Sequence, residues 1–178
     1  MPAFPALFRP ELADATAFIA QGAVVVGNVA LGPQASVWYN AVLRGDCAAI
    51  RVGARTNIQD GAVIHADYGL DCVFGEGVTV GHLAIVHGAV IEDNVVVGMH
   101  SVVQNGARVG RDSIVAVGAV VIEGMQVPPG SLVMGMPGRV KRELTPHEIE
   151  YNRAAALHYV ENAREFAAAG AGWWPPRE

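Results

Sequence analysis

The sequence predicts a mainly β, single-domain protein, built as a parallel β-helix of six-residue repeats and finished by a C-terminal α-helix. Two observations carry this. From Ile91 onward an aliphatic residue returns at every sixth position (Ile91, Val97, Val103, Val109, Val115, Val121, Val127, Val133), with a small or short residue four places after most of them, as at Val95, Ser101, Ala107 and Ser113. After Val133 the pattern breaks at a Gly/Pro cluster, MGMPGRVKREL, and gives way to a stretch rich in helix formers. A period of six with one large and one small inward residue describes a short strand followed by a tight corner, so that three strands close a triangular coil of about 18 residues. Each coil buries its apolar column only against the coils above and below it.

Residues 1–18 read as an irregular lead-in that caps the first coil, whose strand edge would otherwise lie open. The repeat is expected over 19–135, keeping register at Ile19, Val25, Leu31, Val37 and Leu43, then at Val52, Ile58 and Ile64, then at Phe74, Val80 and Val86. The steps from Leu43 to Val52, Ile64 to Phe74 and Val86 to Ile91 depart from six. Insertions in a solenoid map to its corners, and two of these departures lie beside histidines. A helix is expected over 145–169, with Thr145 as N-cap, Pro146 in its first position, Glu148 three residues after the cap and Gly170 as its stop. Its apolar face, Ile149, Ala156, Tyr159, Val160 and Phe166, is suited to packing on the solenoid. The remainder, 170–178, reads as a frayed tail, although Trp173 and Trp174 suit docking on a subunit surface.

The repeat resembles that of left-handed hexapeptide-repeat proteins from Ile19 to Val133. The left hand comes from that resemblance, since crossovers are ordinarily right-handed. At 178 residues the chain is long enough for one core and too short to expect two. A formal charge of -5 with no basic run argues against nucleic acid as a partner. Cys47 and Cys72 are too few for a disulfide framework and have no C-x-x-C spacing, so a reduced cytoplasm is the default. The opening MPAFPALFRPELAD has no signal-peptide pattern, and the apolar runs are too interrupted to span a membrane.

The stretch VGHLAIVHGAVI, Val80 to Ile91, holds the candidate site. His65 follows Ile64 and His87 follows Val86, so both take the second place of their hexads, one coil apart. Stacked strands lie about 4.8 Å apart, and two such imidazoles can converge on one zinc at about 2.0–2.1 Å each. His82 takes the third place of the preceding hexad, on a different face, out of reach within one chain. A third ligand is therefore expected from a neighbouring copy, which a closed cyclic trimer supplies at every interface. A single histidine in a β-solenoid is more often a surface residue; three in this registry with polar companions reverse those odds. Arg44 shares the His65 face, while Gln59 and Asp60 precede His82 by one coil, Asp60 in its column.

These residues complete a motif set: LRGD at Leu43–Asp46, NIQDG at Asn57–Gly61, His65, and VGH followed by VHG at Val80–Gly88. The set resembles the gamma-class carbonic anhydrases over nearly the whole chain. The resemblance implies that His65, His82 and His87 hold the metal, His82 coming from the adjacent subunit of a homotrimer, and that carbon dioxide and bicarbonate are substrate and product. It implies that Gln59 hydrogen-bonds the metal-bound water or bicarbonate, that Asn57 lines the pocket, and that Arg44, Asp46 and Asp60 form an interface salt bridge. Tyr159 matches a tyrosine that many bacterial members point into the cleft. Three neutral nitrogens leave a coordination position where water reaches a pKa of about 7 and supplies hydroxide. Zn2+ is the expected ion, with Fe2+ and Co2+ equally suited to imidazole.

The chain departs from the best-known archaeal member in lacking its acidic loop and glutamate shuttle. Cys47 stands where a second glutamate follows Arg-Gly-Asp, leaving Asp67, Tyr68 or His100 as substitutes. Cys47 otherwise reads as an inward core residue. His100, His147 and His158 read as structural or solvated positions. Two other classes of function remain: an acyl-CoA thioesterase or hexapeptide acyltransferase, and a catalytically silent scaffold subunit that keeps the metal.

Overall fold

The computed structural model of the chain describes residues 7–174; the outer ends of the expected cap and tail, 1–6 and 175–178, lie outside the described residues. The described chain winds into a left-handed parallel β-helix. Val97 pairs with Val115 and Val115 with Val133, a rise of 18 residues per coil. Nearer the histidines the rise is irregular: Ile58 pairs with Val80, 22 residues on, and Val80 with Val97, 17 on. Ile58, Ile64, Val80, Val86, Ile91 and Val97 are fully buried, with Ala62, Ala84, Ser101 and Ala107 filling the narrow places between them. Burying each such large aliphatic side chain stabilises the fold by about 1.5–3 kcal/mol.

Three faces run along the solenoid. The first stacks Phe18–Ala20, Ser36–Val37, Asn57–Ile58, Thr79–Val80, Val96–Val97, Ile114–Val115 and Ser131–Met134. The second stacks the beginnings of two long strands, Val24–Leu31 and Val42–Val52, with Val63–His65, Ile85–His87, Val102–Val103 and Val120–Val121. The third takes the ends of those long strands with Cys72–Phe74, Val90–Ile91, Arg108–Val109 and Gln126–Val127.

The nine-residue step between Leu43 and Val52 is absorbed as a bulge inside one continuous strand. Pairing runs from Val24↔Val42 to Gly27↔Gly45 and resumes at Val29↔Ile50. The extra residues turn Ala48 and Ile50 into the core and leave Cys47 half-buried at the surface, which corrects its expected inward position. Gly27 and Gly45 are needed there: a Cβ on Gly27 would meet the Gly45 carbonyl at 2.3 Å.

The helix α1, Pro146–Ala168, packs on the first face. Its buried residues are Asn152, Ala156, Val160 and Ala163. Tyr159 is half-buried, and Phe166, although 39% exposed, packs edge-on against Trp38 with ring centroids 5.3 Å apart. Asn152, a polar residue absent from the apolar pattern, pins the helix: its amide donates to the carbonyls of Asn94 (3.2 Å) and Ser113 (3.4 Å) at successive corners. Asn152→Ala is expected to cost about 1–3 kcal/mol, measured by denaturant unfolding, and an unchanged midpoint would remove the pinning role.

The start of α1 is a capping box. Thr145 Oγ1 accepts from the Glu148 N–H, and Glu148 accepts from the Thr145 N–H at 2.8 Å. Arg142 grips the same carboxylate through both terminal nitrogens, at 2.7 and 2.8 Å. The Arg142 bonds, then those from Thr145, pull the Glu148 pKa from 4.5 down to about 2. A depressed carboxyl stabilises the fold above its unfolded pKa, and that contribution is lost as pH falls toward the folded one. The wild-type unfolding free energy should therefore drop between about pH 4.5 and pH 2 more steeply than that of Glu148→Gln; equal slopes would contradict it.

The tail is not frayed as far as Trp174. Gly172–Trp174 returns antiparallel to Phe18–Ala20, and Phe8 packs edge-on against both Trp173 (4.9 Å) and Trp174 (5.1 Å). The indoles dock on the first coil of their own chain, because that coil's strand edge and core end both require cover. Among the described residues no helix is long and apolar enough to cross a membrane.

Candidate metal centre

His65 and His87 are direct cross-strand neighbours on the second face, in the register Ile64↔Val86, His65↔His87. Both side chains point outward because their inward neighbours Ile64 and Val86 are fully buried. His65 Nδ1 lies 2.9 Å from His87 Nε2. The outer nitrogens are both engaged, His65 Nε2 with Asp46 Oδ1 at 3.0 Å and His87 Nδ1 with Asn105 Oδ1 at 2.7 Å. A carboxylate and an amide oxygen can only accept, so each outer nitrogen carries a proton, and wherever the ring is neutral its inner nitrogen carries the lone pair.

Two lone pairs facing each other across 2.9 Å are unfavourable unless they share a cation. Two imidazole nitrogens on one tetrahedral zinc lie about 3.3 Å apart at ordinary bond lengths, so a small opening of this pair admits the ion. The donor set therefore fits a metal of the zinc type.

Asp46 is the hub beside this pair. It bonds His65 through one oxygen and Arg44 through the other. Partial burial pushes its carboxyl up, but the bonds from Arg44 and His65 outweigh that and hold it below the usual carboxylate value. Asp46, Cys47 and His65 each offer a potential ligand atom, all within 4.8 Å of one another. Asp46 and the outer nitrogen of His65 are already bonded to each other, so this grouping reads as the support of the histidine. The Cys47 thiol faces the Tyr68 hydroxyl; that hydrogen bond, with the charges nearby, raises the tyrosine pKa.

The other expected residues gather at the corner between the first and second faces. Asp60 Oδ2 lies 2.8 Å from His82 Nδ1, and both side chains are 42% exposed. In this chain Asp60 thus pairs with His82, while Arg44 pairs with Asp46 at the opposite end of the second face. Gln59 and Asn57 are buried; the Gln59 amide donates to Asn57 Oδ1 (3.0 Å), and Asn57 donates to Thr79 Oγ1 (2.9 Å). Tyr159 reaches the same side from α1, its ring 5.4 Å edge-on from Trp38. Burial and the Asp60 charge raise its pKa, so it remains a hydroxyl donor.

His82 lies in the turn between Thr79–Val80 and Ile85–His87, at the corner before the face that carries His65 and His87. Among the described residues the three histidines form no group within 4.8 Å.

Sequence reasoning missed Asn105. Hexad counting leads from His87 to Gln104, the residue after Val103, and Asn105 stands in the turn just beyond it. His100 is exposed at a corner, and His147 and His158 are exposed on α1.

No protein-family model matches the chain. It is 53% identical over 143 residues to a protein of Methanocaldococcus jannaschii named "Probable carbonic anhydrase", covering 80% of this chain and 90% of that one. It is 37% identical over 166 residues to the mitochondrial gamma carbonic anhydrase 2 of Arabidopsis thaliana, covering 90% of this chain but only 60% of the plant protein. Among solved structures it superposes on a hexapeptide transferase family protein from Anaplasma phagocytophilum with a TM-score of 0.84 at 40% identity, covering 86% of this chain and 91% of that one. With a β-helix of hexapeptide repeats and paired histidines in register on one face, the chain belongs to the gamma carbonic anhydrase family.

Proposed function

We propose that the protein catalyses the reversible hydration of carbon dioxide to bicarbonate at a metal, zinc in the first instance, held between subunits of a cytoplasmic homotrimer. His65 and His87 of one protomer and His82 of the partner subunit hold the ion. The observation that carries this reading is the His65–His87 pair, whose lone pairs face each other at 2.9 Å while Asp46 and Asn105 occupy the outer nitrogens.

The surface around the pair supports a subunit contact. Val24, Val63 and Ile85 are stacked outward along the second face and are each about 40% exposed or more. Leu83, beside His82, is 51% exposed and holds a left-handed backbone at φ 58°. The same left-handed turn recurs at the corner residues Arg55, Asn94, His100 and Asp112, so it is the exposure of Leu83 that marks it. Contiguous exposed apolar surface marks an interface, and a cyclic contact brings the corner of one copy, with Asp60, His82 and Leu83, onto the second face of the next.

When bound, the ion supplies water acidified to a pKa of about 7, and so a nucleophile at neutral pH. The protein's own side chains do the rest. Gln59, oriented by Asn57 and Thr79, presents an amide that can align the substrate oxygen. Arg44, 47% exposed at the rim, adds positive charge that favours bicarbonate. Asp46 keeps the His65 lone pair directed inward, and Tyr159 contributes a neutral donor at the cleft.

Stopped-flow carbon dioxide hydration on anaerobically purified protein, with metal quantified in the same sample, tests the proposal. Activity at one metal per chain is the expected result; full occupancy without hydration would overturn it. The likeness to a hexapeptide transferase family protein favours one second reading, acyl-CoA hydrolysis or acyl transfer. Saturable coenzyme A binding with turnover of an acyl-CoA would carry that reading.

A further inference from the structure

The loop that interrupts the repeat after His65 has a use in this geometry. It carries Asp67, whose Oδ2 accepts from Asn105 Nδ2 at 2.7 Å, and the same amide presents its Oδ1 to His87 Nδ1, also at 2.7 Å. The carboxylate settles the orientation of the amide, since only the nitrogen end can donate to it. The amide oxygen then settles the tautomer of His87, with the proton on Nδ1 and the lone pair on Nε2, facing His65. Gly88 makes room for this contact: a Cβ there would lie 2.5 Å from Asn105 Oδ1.

We propose that Asn105, oriented by Asp67, is the positioning residue that holds His87 as an Nδ1–H tautomer with its Nε2 lone pair toward the metal. Asp46 does this for His65 from the bulged strand, and Asn105 does it for His87 from the next coil. The ten-residue step from Ile64 to Phe74 is thereby a device for completing the surroundings of the second histidine. Outer partners of a metal-binding histidine fix its ring and raise its basicity, and their removal typically lowers metal affinity roughly ten- to hundredfold. The proposal rests on the metal reading above for its consequence, but not for its geometry.

The test therefore has two readouts on Asn105→Leu, which keeps the size of the side chain and removes the acceptor. Nitrogen-15 NMR of the histidine rings in metal-free protein reports the tautomer: wild type should show His87 protonated at Nδ1, and the variant should move that proton to Nε2. Zinc competition against a chelator should show affinity falling roughly ten- to hundredfold. The double variant Asp67→Asn with Asn105→Asp reverses the pair, keeps an acceptor on His87, and should restore both readouts. An unchanged His87 tautomer in Asn105→Leu overturns the proposal, as does an unchanged zinc affinity. That second criterion applies to a wild type that binds zinc; a tautomer shift in Asn105→Leu beside a wild type that binds none would uphold the positioning and sink the metal reading instead.

Discussion

His87→Ala is expected to abolish metal retention and carbon dioxide hydration together while leaving the fold intact. The side chain is half-buried on an outer face and contributes nothing to the apolar column, whose members on that strand and its neighbours are Val86, Ile64 and Val103. Circular dichroism and thermal unfolding should therefore stay close to wild type. The effect on the metal is of another size. Structural zinc sites bind with about 10–16 kcal/mol over four ligands, so one ligand represents about 3 kcal/mol or more, at least a hundredfold in affinity. Substituting the exposed His147 or His158 controls for non-specific histidine effects and should change neither quantity. Retained metal and retained rate in His87→Ala would end the assignment of this pair as the metal centre.

Co-assembling His82→Ala and His87→Ala subunits should restore activity that neither variant has alone. In a shared site, the first variant still offers an intact His65–His87 pair and the second an intact His82. At equal mixing in a cyclic trimer, about one interface in four joins the two intact halves, so about a quarter of wild-type activity and metal content is expected. Were all three ligands drawn from one chain, every subunit would lack a ligand and mixing would recover nothing. His82 sits in the turn before the strand that carries His87, and among the described residues it forms no group with His65 and His87 within 4.8 Å, which makes the first outcome the one expected.

Much of this was legible along the chain. An aliphatic column every six residues leaves little choice but a triangular coil, and the regular 18-residue rise above Val97 follows from it. His65 and His87 could be matched across an irregular step because both directly follow a core aliphatic, and strand alternation then turns both outward. The pairing of Asp60 with His82 follows from the same counting.

The departures from the repeat were where counting stopped. Whether Cys47 faced inward depended on how three extra residues between Gly45 and Ile50 were taken up, and a bulge has no fixed side-chain parity. The roles of Asn152, Trp173 and Trp174 depended on which solenoid surface the helix and tail returned to, and neither carries a period that names its partner. Hexad periodicity decides which residues point in and which coils stack, because backbone pairing and burial repeat with every strand. Only the folded chain decides that Asn105 and Asp67 close on His87, because that contact joins a corner of one coil to an inserted loop of another, and its 2.7 Å bonds depend on side-chain directions that no repeat encodes.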